Sequence, residues 1–413
     1  MLEQFISDAR AVARHRGGVF GPYIDGIAAG LAAEGYARHS VQVAVCLLSN
    51  FGRWVAARNL PVSAISEQTV REFRRTQGQS SWRRQGNDAT LRRLLERLRV
   101  LGVVPEAVRQ DECTPAERLC EEFARYLREE RGLSAATVLI FCPVARLFIG
   151  ERFGTGILDL SGLRAADLQT FVFRHAREYR NEGLRLLLTG LRSFLRFLHH
   201  RGEIPSPLAD QVPKAPRWRR SRPPKWLSAD EVKRVLDSCD RSSATGQRDY
   251  AMLLLLARLG LRGGEIVSLE LEDIRWEAGE FTVCGKGRQR KRFPLPRDVG
   301  EALAAYLRNA RPAHWGSRRV FLRVKAPYRE LAGVSTLNKV VRQALARAGL
   351  DPPCKGSHLF RHSLATNMLR NGATLTEIGQ ILHHTNPDTT SIYAKVDIAG
   401  LRALALPWPG DPS

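Results

Sequence analysis

The sequence predicts a mainly α protein with a small β component, organised in more than one domain. Three observations lead there. Apolar residues recur at helical spacing along most of the 413 residues, as in Val41, Val45, Leu48, Phe51 and Val55. Strand-like runs occur around one glycine-marked reversal, at 281–284 and 292–295. The length exceeds what one hydrophobic core usually serves, and a 44% hydrophobic content is enough to fill several.

Charge narrows the partners. Sixty-four Lys and Arg against 42 Asp and Glu give a formal net charge of +22 and a pI near 10.5. Phosphate contacts release counterions and add salt-dependent affinity, so a polyanion is the expected partner. A chain that merely favours arginine is the plain alternative. Seven cysteines, at positions 46, 113, 120, 142, 239, 284 and 354, form no Cys-x-x-Cys pair and are odd in number. They fit reduced thiols of the cytoplasm rather than a disulfide framework or zinc knuckle, and no metal or cofactor is expected. The most apolar run, 251–257, is too short to span a bilayer, so no membrane role is expected.

Residues 1–110 read as a helical N-terminal module, and 111–212 as a second one. Gly35, Ser40-Val41 and Phe51 match Gly132, Thr137-Val138 and Phe148; Ile65, Val70 and Phe73 resemble Leu163, Leu168 and Phe171. Leu95, Leu98, Gly102 and Pro105 match Leu195, Leu198, Gly202 and Pro205 in the same way. The pattern suggests one small helical unit used twice. Arg74, Arg83, Arg84, Arg92 and Arg93 in the first module, with Arg180, Arg185 and Arg192 in the second, are expected to lie along DNA as a group; any single one reads as an ordinary solvated cation.

The boundary at 213–227 is basic and proline-rich. Four prolines resist helix there, while Lys214, Arg217, Arg219, Arg220, Arg222 and Lys225 make a strap suited to a phosphate backbone. A third domain, 228–400, opens on Ser228 as N-cap with Glu231 as its capping-box partner and Leu227 meeting Val232; a tail of 401–413 follows.

Within that domain a helix over 248–259 is apolar on nearly all sides and belongs at the centre. Gly260 ends it, and Arg262 stands at the seam where the next helix begins. The hairpin tip carries Lys286, Arg288, Arg290, Lys291 and Arg292, a basic set fitted to a DNA groove. Lys286, between glycines, suits the closest approach to a phosphate, and spacing leaves Lys291 open for that part. A helix is expected over 335–348. His358 and Arg361, three apart, share a helical face. Thr374 and Glu377 form a second capping box, and Asp388 is placed to cap a short helix bearing Tyr393.

Arg262 in Leu-Gly-Leu-Arg-Gly-Gly-Glu, Lys286 in Gly-Lys-Gly, His358-Leu-Phe-Arg361-His, and His384 nine residues before Tyr393 together resemble the tyrosine recombinases, or phage-type integrases. The resemblance covers about 228–400 most strongly. It implies a mixed α/β catalytic domain, with 111–212 as a helical, SAM-like core-binding domain and 1–110 as an extra copy. It implies site-specific DNA strand exchange without metal or ATP, with Tyr393 as nucleophile. Arg262 and Arg361 would hold the non-bridging oxygens, Lys286 would protonate the leaving oxygen, and His358 would accept or orient the tyrosine proton. His384 would bond the phosphate and Glu265 would orient His358. His362 and His383 read as packing groups. Two positions depart from the family pattern: His383 replaces a common glycine, which leaves the choice between His383 and His384 open, and Lys395 replaces a common histidine. A homo-tetramer on two synapsed double-stranded sites is implied, with a monomer or dimer when free and room for accessory recombination proteins. Ile398 to Leu406 would dock on a neighbour or on its own domain. Two rival readings stand beside this one, a type IB topoisomerase-like enzyme and a catalytically silent DNA-binding regulator.

Overall fold

The structure is a computed structural model that describes residues 1–76, 87–105, 114–154, 156–179, 181–214, 225–285, 289–312, 316–384, 386 and 389–396. The chain divides into two compact units, one of 107–221 and one of 1–106 with 222–413.

Among its described residues the 107–221 unit has four α-helices and a 3₁₀ helix (Leu208–Gln211). Thr114 and Glu117 form a capping box that starts α6 (Pro115–Glu129), Ser134 caps α7 (Ala135–Phe153), and α8 (Ala165–Ala176) and α9 (Asn181–His200) follow. Phe123, Phe148, Phe194 and Phe197 fill its core.

The other unit opens with α1 (Ala9–Arg16), α2 (Gly21–Ala33), α3 (Arg38–Ala56), α4 (Glu67–Thr76) and α5 (Asn87–Val100), which share a core around Phe20, Phe51 and Phe73. Several of the residues matched between the two helical modules are buried in both. Val41 and Val138, Phe51 and Phe148, Phe73 and Phe171, and Leu98 and Leu198 are all buried. Each module also turns through left-handed glycines at the matched positions, Gly35 and Gly102 in one and Gly132 and Gly202 in the other.

The remainder of this unit surrounds α11 (Ala244–Leu259), whose Ala251 to Leu256 are buried without a break, the all-round apolarity read from the sequence. The helix begins four residues before the expected start because Ser243 accepts from the Gly246 amide and caps it there. Around it lie α10 (Ala229–Asp237), α12 (Gly263–Val267), α13 (Arg297–Asn309), α14 (Val334–Arg347), α15 (His358–Arg370) and α16 (Leu375–Ile381). Both expected capping boxes are present, Ser228 with Glu231 on α10 and Thr374 with Glu377 on α16.

The β component is a three-stranded antiparallel sheet, β1 (Ile274–Arg275), β2 (Glu280–Cys284) and β3 (Arg290–Pro294), in that order. Phe281 pairs with Phe293 across β2 and β3, and their rings stack on the core side. The two-residue β1 is an addition to the expected hairpin; it is too short to show alternation. No helix among the described residues is long and apolar enough to cross a membrane.

Tyr306 is fully buried on α13, and its hydroxyl accepts the Leu322 amide at 3.1 Å. Tyr306→Phe leaves that amide without a partner and is expected to cost about 1–3 kcal/mol. Denaturant melts of the two proteins measure it; unchanged midpoints would show that the amide finds another acceptor.

Candidate functional site

The expected site residues come from helix ends and one turn of the 222–413 segment. Gly260 closes α11 in the left-handed region at φ 56°, where a Cβ would come within 2.8 Å of Leu382 and 3.0 Å of Leu364. This bare corner admits the guanidinium of Arg361, which donates to the Gly260 carbonyl and to the Leu382 carbonyl, both at 2.5 Å. Arg361 is only 5% exposed. Burial, with Arg262 nearby, pulls it down to about 10, so it stays a cation at neutral pH.

Arg262 is the N-cap residue of α12. Its amide donates to Glu265 Oε2 at 2.7 Å and its Nη1 to Oε1 at 3.0 Å. Glu265 is buried, and as the third residue of the helix it reaches back over the cap. Its hydrogen bonds therefore fix Arg262, where the expectation was that it orients His358; toward His358 it acts only as a minor opposing charge.

His358 begins α15 and His362 follows one turn later, with ring centroids 6.4 Å apart. Tyr393 lies in a 3₁₀ turn (Ser391–Val396) packed on α15 and α16, and is 1% exposed. Its hydroxyl is 3.1 Å from His362 Nδ1, so the imidazole in contact with it is His362 and not His358. His384 lies parallel to the tyrosine ring at 6.5 Å and shares a 2.6 Å hydrogen bond, from its Nδ1, with Thr390 Oγ1. Burial, helped by Arg361 and Arg262, lowers His358. Burial, with His358 and Arg361, lowers His362 to about 4; burial, with Arg361 and Arg262, lowers His384 to about 4. The Tyr393 phenol is pushed up to about 12 by burial, against the pull of Arg361. The imidazoles are thus neutral beside two fixed cations.

His383 occupies the left-handed region at φ 48°, which explains how a side chain replaces the glycine common at this place. Its ring packs edge-on to Phe293 at 4.5 Å, and its carbonyl accepts from Lys291 Nζ at 2.9 Å. Lys291, Gln380, His383, His384 and Thr390 line a cavity of about 740 Å³.

Other expected contacts fall elsewhere. Arg290 and Arg292 point to solvent and pair with Asp273 and Glu280 at 3.3 and 3.9 Å. Lys214 and Lys225 are exposed. Lys286 and Arg288, the strap residues Arg217, Arg219, Arg220 and Arg222, and the expected cap Asp388 and docking segment lie outside the described residues. Among the N-terminal arginines, Arg74 and Arg93 face Asp88 and Glu34 in ion pairs. Among the described residues no cluster of His, Cys, Asp and Glu could hold a metal. The contacts of His362 with Tyr393 and of Lys291 with the His383 carbonyl were not read from the sequence. The i, i+4 spacing of His358 and His362 signals a shared face, but only tertiary packing shows that Tyr393 meets the second ring.

Comparison with known proteins gives a consistent result. Residues 225–399 match the phage integrase family. A Sinorhizobium fredii protein named integrase/recombinase y4rA is 43% identical over 99% of this chain and 100% of its own length. Tyrosine recombinase XerD of Listeria monocytogenes is 31% identical over 67% of this chain and 94% of its own. Among solved structures, the XerH site-specific recombinase bound to palindromic difH substrate shares the fold at TM-score 0.54 and 18% identity, over 74% of this chain and 90% of that one.

The depressed imidazoles set a pH dependence. His362 and His384 stay neutral down to about 4 when folded, whereas unfolded histidine protonates from about 6.5. Between these values the unfolded chain binds more protons, so stability falls as pH drops through the window and stays lost below it. Melting temperatures recorded from pH 7 to 4.5 are expected to fall less steeply for His384→Asn than for the parent; parallel slopes would contradict this assignment.

Proposed function

This chain belongs to the phage integrase family and is a tyrosine site-specific recombinase, and from that premise we propose that it breaks and rejoins double-stranded DNA through a 3′-phosphotyrosyl link to Tyr393. One observation carries the reading: the Tyr393 ring packs against the neutral imidazoles of His362 and His384, within reach of the Arg361 charge.

The chemistry follows from the side chains. A scissile phosphate meets the guanidiniums of Arg262 and Arg361, whose planar forks match its non-bridging oxygens. These charges, held by carbonyls and Glu265, are in place before negative charge builds up on phosphorus. His384 adds a neutral donor to the same oxygens. The Tyr393 oxygen bonds to phosphorus as its proton passes to His358, the bond to the 5′ oxygen breaks, and a hairpin lysine, Lys286 or Lys291, gives that oxygen a proton. The phosphotyrosyl link keeps the energy of the broken bond, so a 5′-hydroxyl from a second duplex reverses the step without metal or ATP. Tyr393 is enclosed in this structure, so a duplex reaches it only once the chain that covers it gives way.

Exchange between two duplexes uses four tyrosines, which makes a homo-tetramer on synapsed sites the working assembly. Residues 111–212 and the basic strap serve as site-binding elements, and 1–110 as a second copy of the helical module.

The test is covalent trapping on nicked duplexes that lose the leaving strand, drawn from DNA flanking the gene and from a broad fragment library. The wild type is expected to yield a denaturant-resistant adduct mapping to Tyr393. Tyr393→Phe should yield none, and Arg361→Ala a rate lower by about 10²–10³-fold. Tight, salt-sensitive binding with no adduct across the library would instead indicate a silent regulator, and relaxation of supercoils without synapsis a topoisomerase.

A further inference from the structure

The motif assigns the tyrosine proton to His358, yet the atom nearest the nucleophile belongs to the next turn of α15. His362 Nδ1 lies 3.1 Å from the Tyr393 hydroxyl, with the two rings edge to face at 5.7 Å. Among the described residues it is the hydroxyl's hydrogen-bond partner, and Tyr393 is fully enclosed, so this bond decides where the phenol oxygen points. His362 follows Arg361 directly on one helix. Consecutive helical residues diverge by about 100°, so Arg361 reaches the carbonyls of Gly260 and Leu382 while His362 reaches Tyr393. The distance between phosphate clamp and nucleophile is thereby set by a single rigid step.

We propose that His362 is the positioning residue for the nucleophile, fixing the Tyr393 oxygen relative to the phosphate held by Arg361. The inference rests on the recombinase reading above. Neither group suits proton transfer between them: an imidazole brought down to about 4 is far too weak a base for a phenol raised to about 12. The bond therefore orients the hydroxyl.

His362→Asn and His362→Leu separate orientation from bulk. The Asn amide places a hydrogen-bonding atom near the position of Nδ1; Leu fills the space without one. The probe is the nicked duplex that gives the wild-type adduct, made with either oxygen or sulfur at the 5′ bridging position. Adduct formation is expected to stay within about threefold of wild type for Asn and to fall about 10- to 100-fold for Leu, since small misplacements of a reacting atom have effects of this size. The Leu deficit should persist with sulfur, a leaving group that needs no proton. Tyrosine labelled at Cζ, read by NMR without DNA and assigned with Tyr393→Phe, should show the Tyr393 signal displaced in Leu and retained in Asn. That second readout also reports whether each variant folds.

Leu at the wild-type rate overturns the proposal. Asn falling with Leu overturns it too, since the imidazole would then act as more than a holder. Rescue by sulfur would move His362 to the leaving-group side. Absence of any wild-type adduct sinks the recombinase reading itself and this proposal with it, whereas a wild-type adduct with an unaffected Leu variant sinks this proposal alone.

Discussion

An arginine taken out of water stays charged only if its donors are met, and Arg361 meets them with backbone. Its two terminal nitrogens hold the carbonyl that ends α11 and the carbonyl that ends α16. Helix C-terminal carbonyls carry partial negative charge, so the bonds are charge-assisted and draw three helices to one point. The close approach depends on Gly260, whose missing Cβ leaves room for Leu382 and Leu364. Removing the guanidinium would therefore disturb the corner on which His358, His362 and His384 are all arranged. The remaining electrostatics follow from burial first and from that cation second: desolvation lowers the neighbouring imidazoles and raises the Tyr393 phenol, while Arg361 adds to the former and pulls against the latter.

The hairpin shows one strand performing two tasks through period-2 geometry. Along β3, Lys291 turns inward to the His383 carbonyl, while Arg290 and Arg292 turn outward. The outward pair rests on Asp273 and Glu280 in ion pairs whose arginines are exposed, so the pairs add little stability in water. The inward lysine does more for the site than its place in a run of basic residues suggests. It braces a left-handed turn that a non-glycine residue would otherwise populate poorly, and that turn presents His384.

What the sequence disclosed was chiefly local. Ser228 with Glu231 and Thr374 with Glu377 are readable because both partners lie three residues apart and the backbone between them is already helical. The central helix announced itself through unbroken apolarity, and Arg262 through the glycines on either side. The contact between His362 and Tyr393 spans 31 residues and depends on how a 3₁₀ turn packs against α15, which periodicity does not encode. The bonds of Glu265 to Arg262 follow from its position three residues into α12, where its carboxylate closes the cap. The two residues of β1 carry too little pattern to separate them from a loop.

Water touches almost none of Tyr393. A nucleophile kept out of water until a docked duplex displaces its cover is kept from stray phosphates as well, so the chemistry would begin only where the site is occupied.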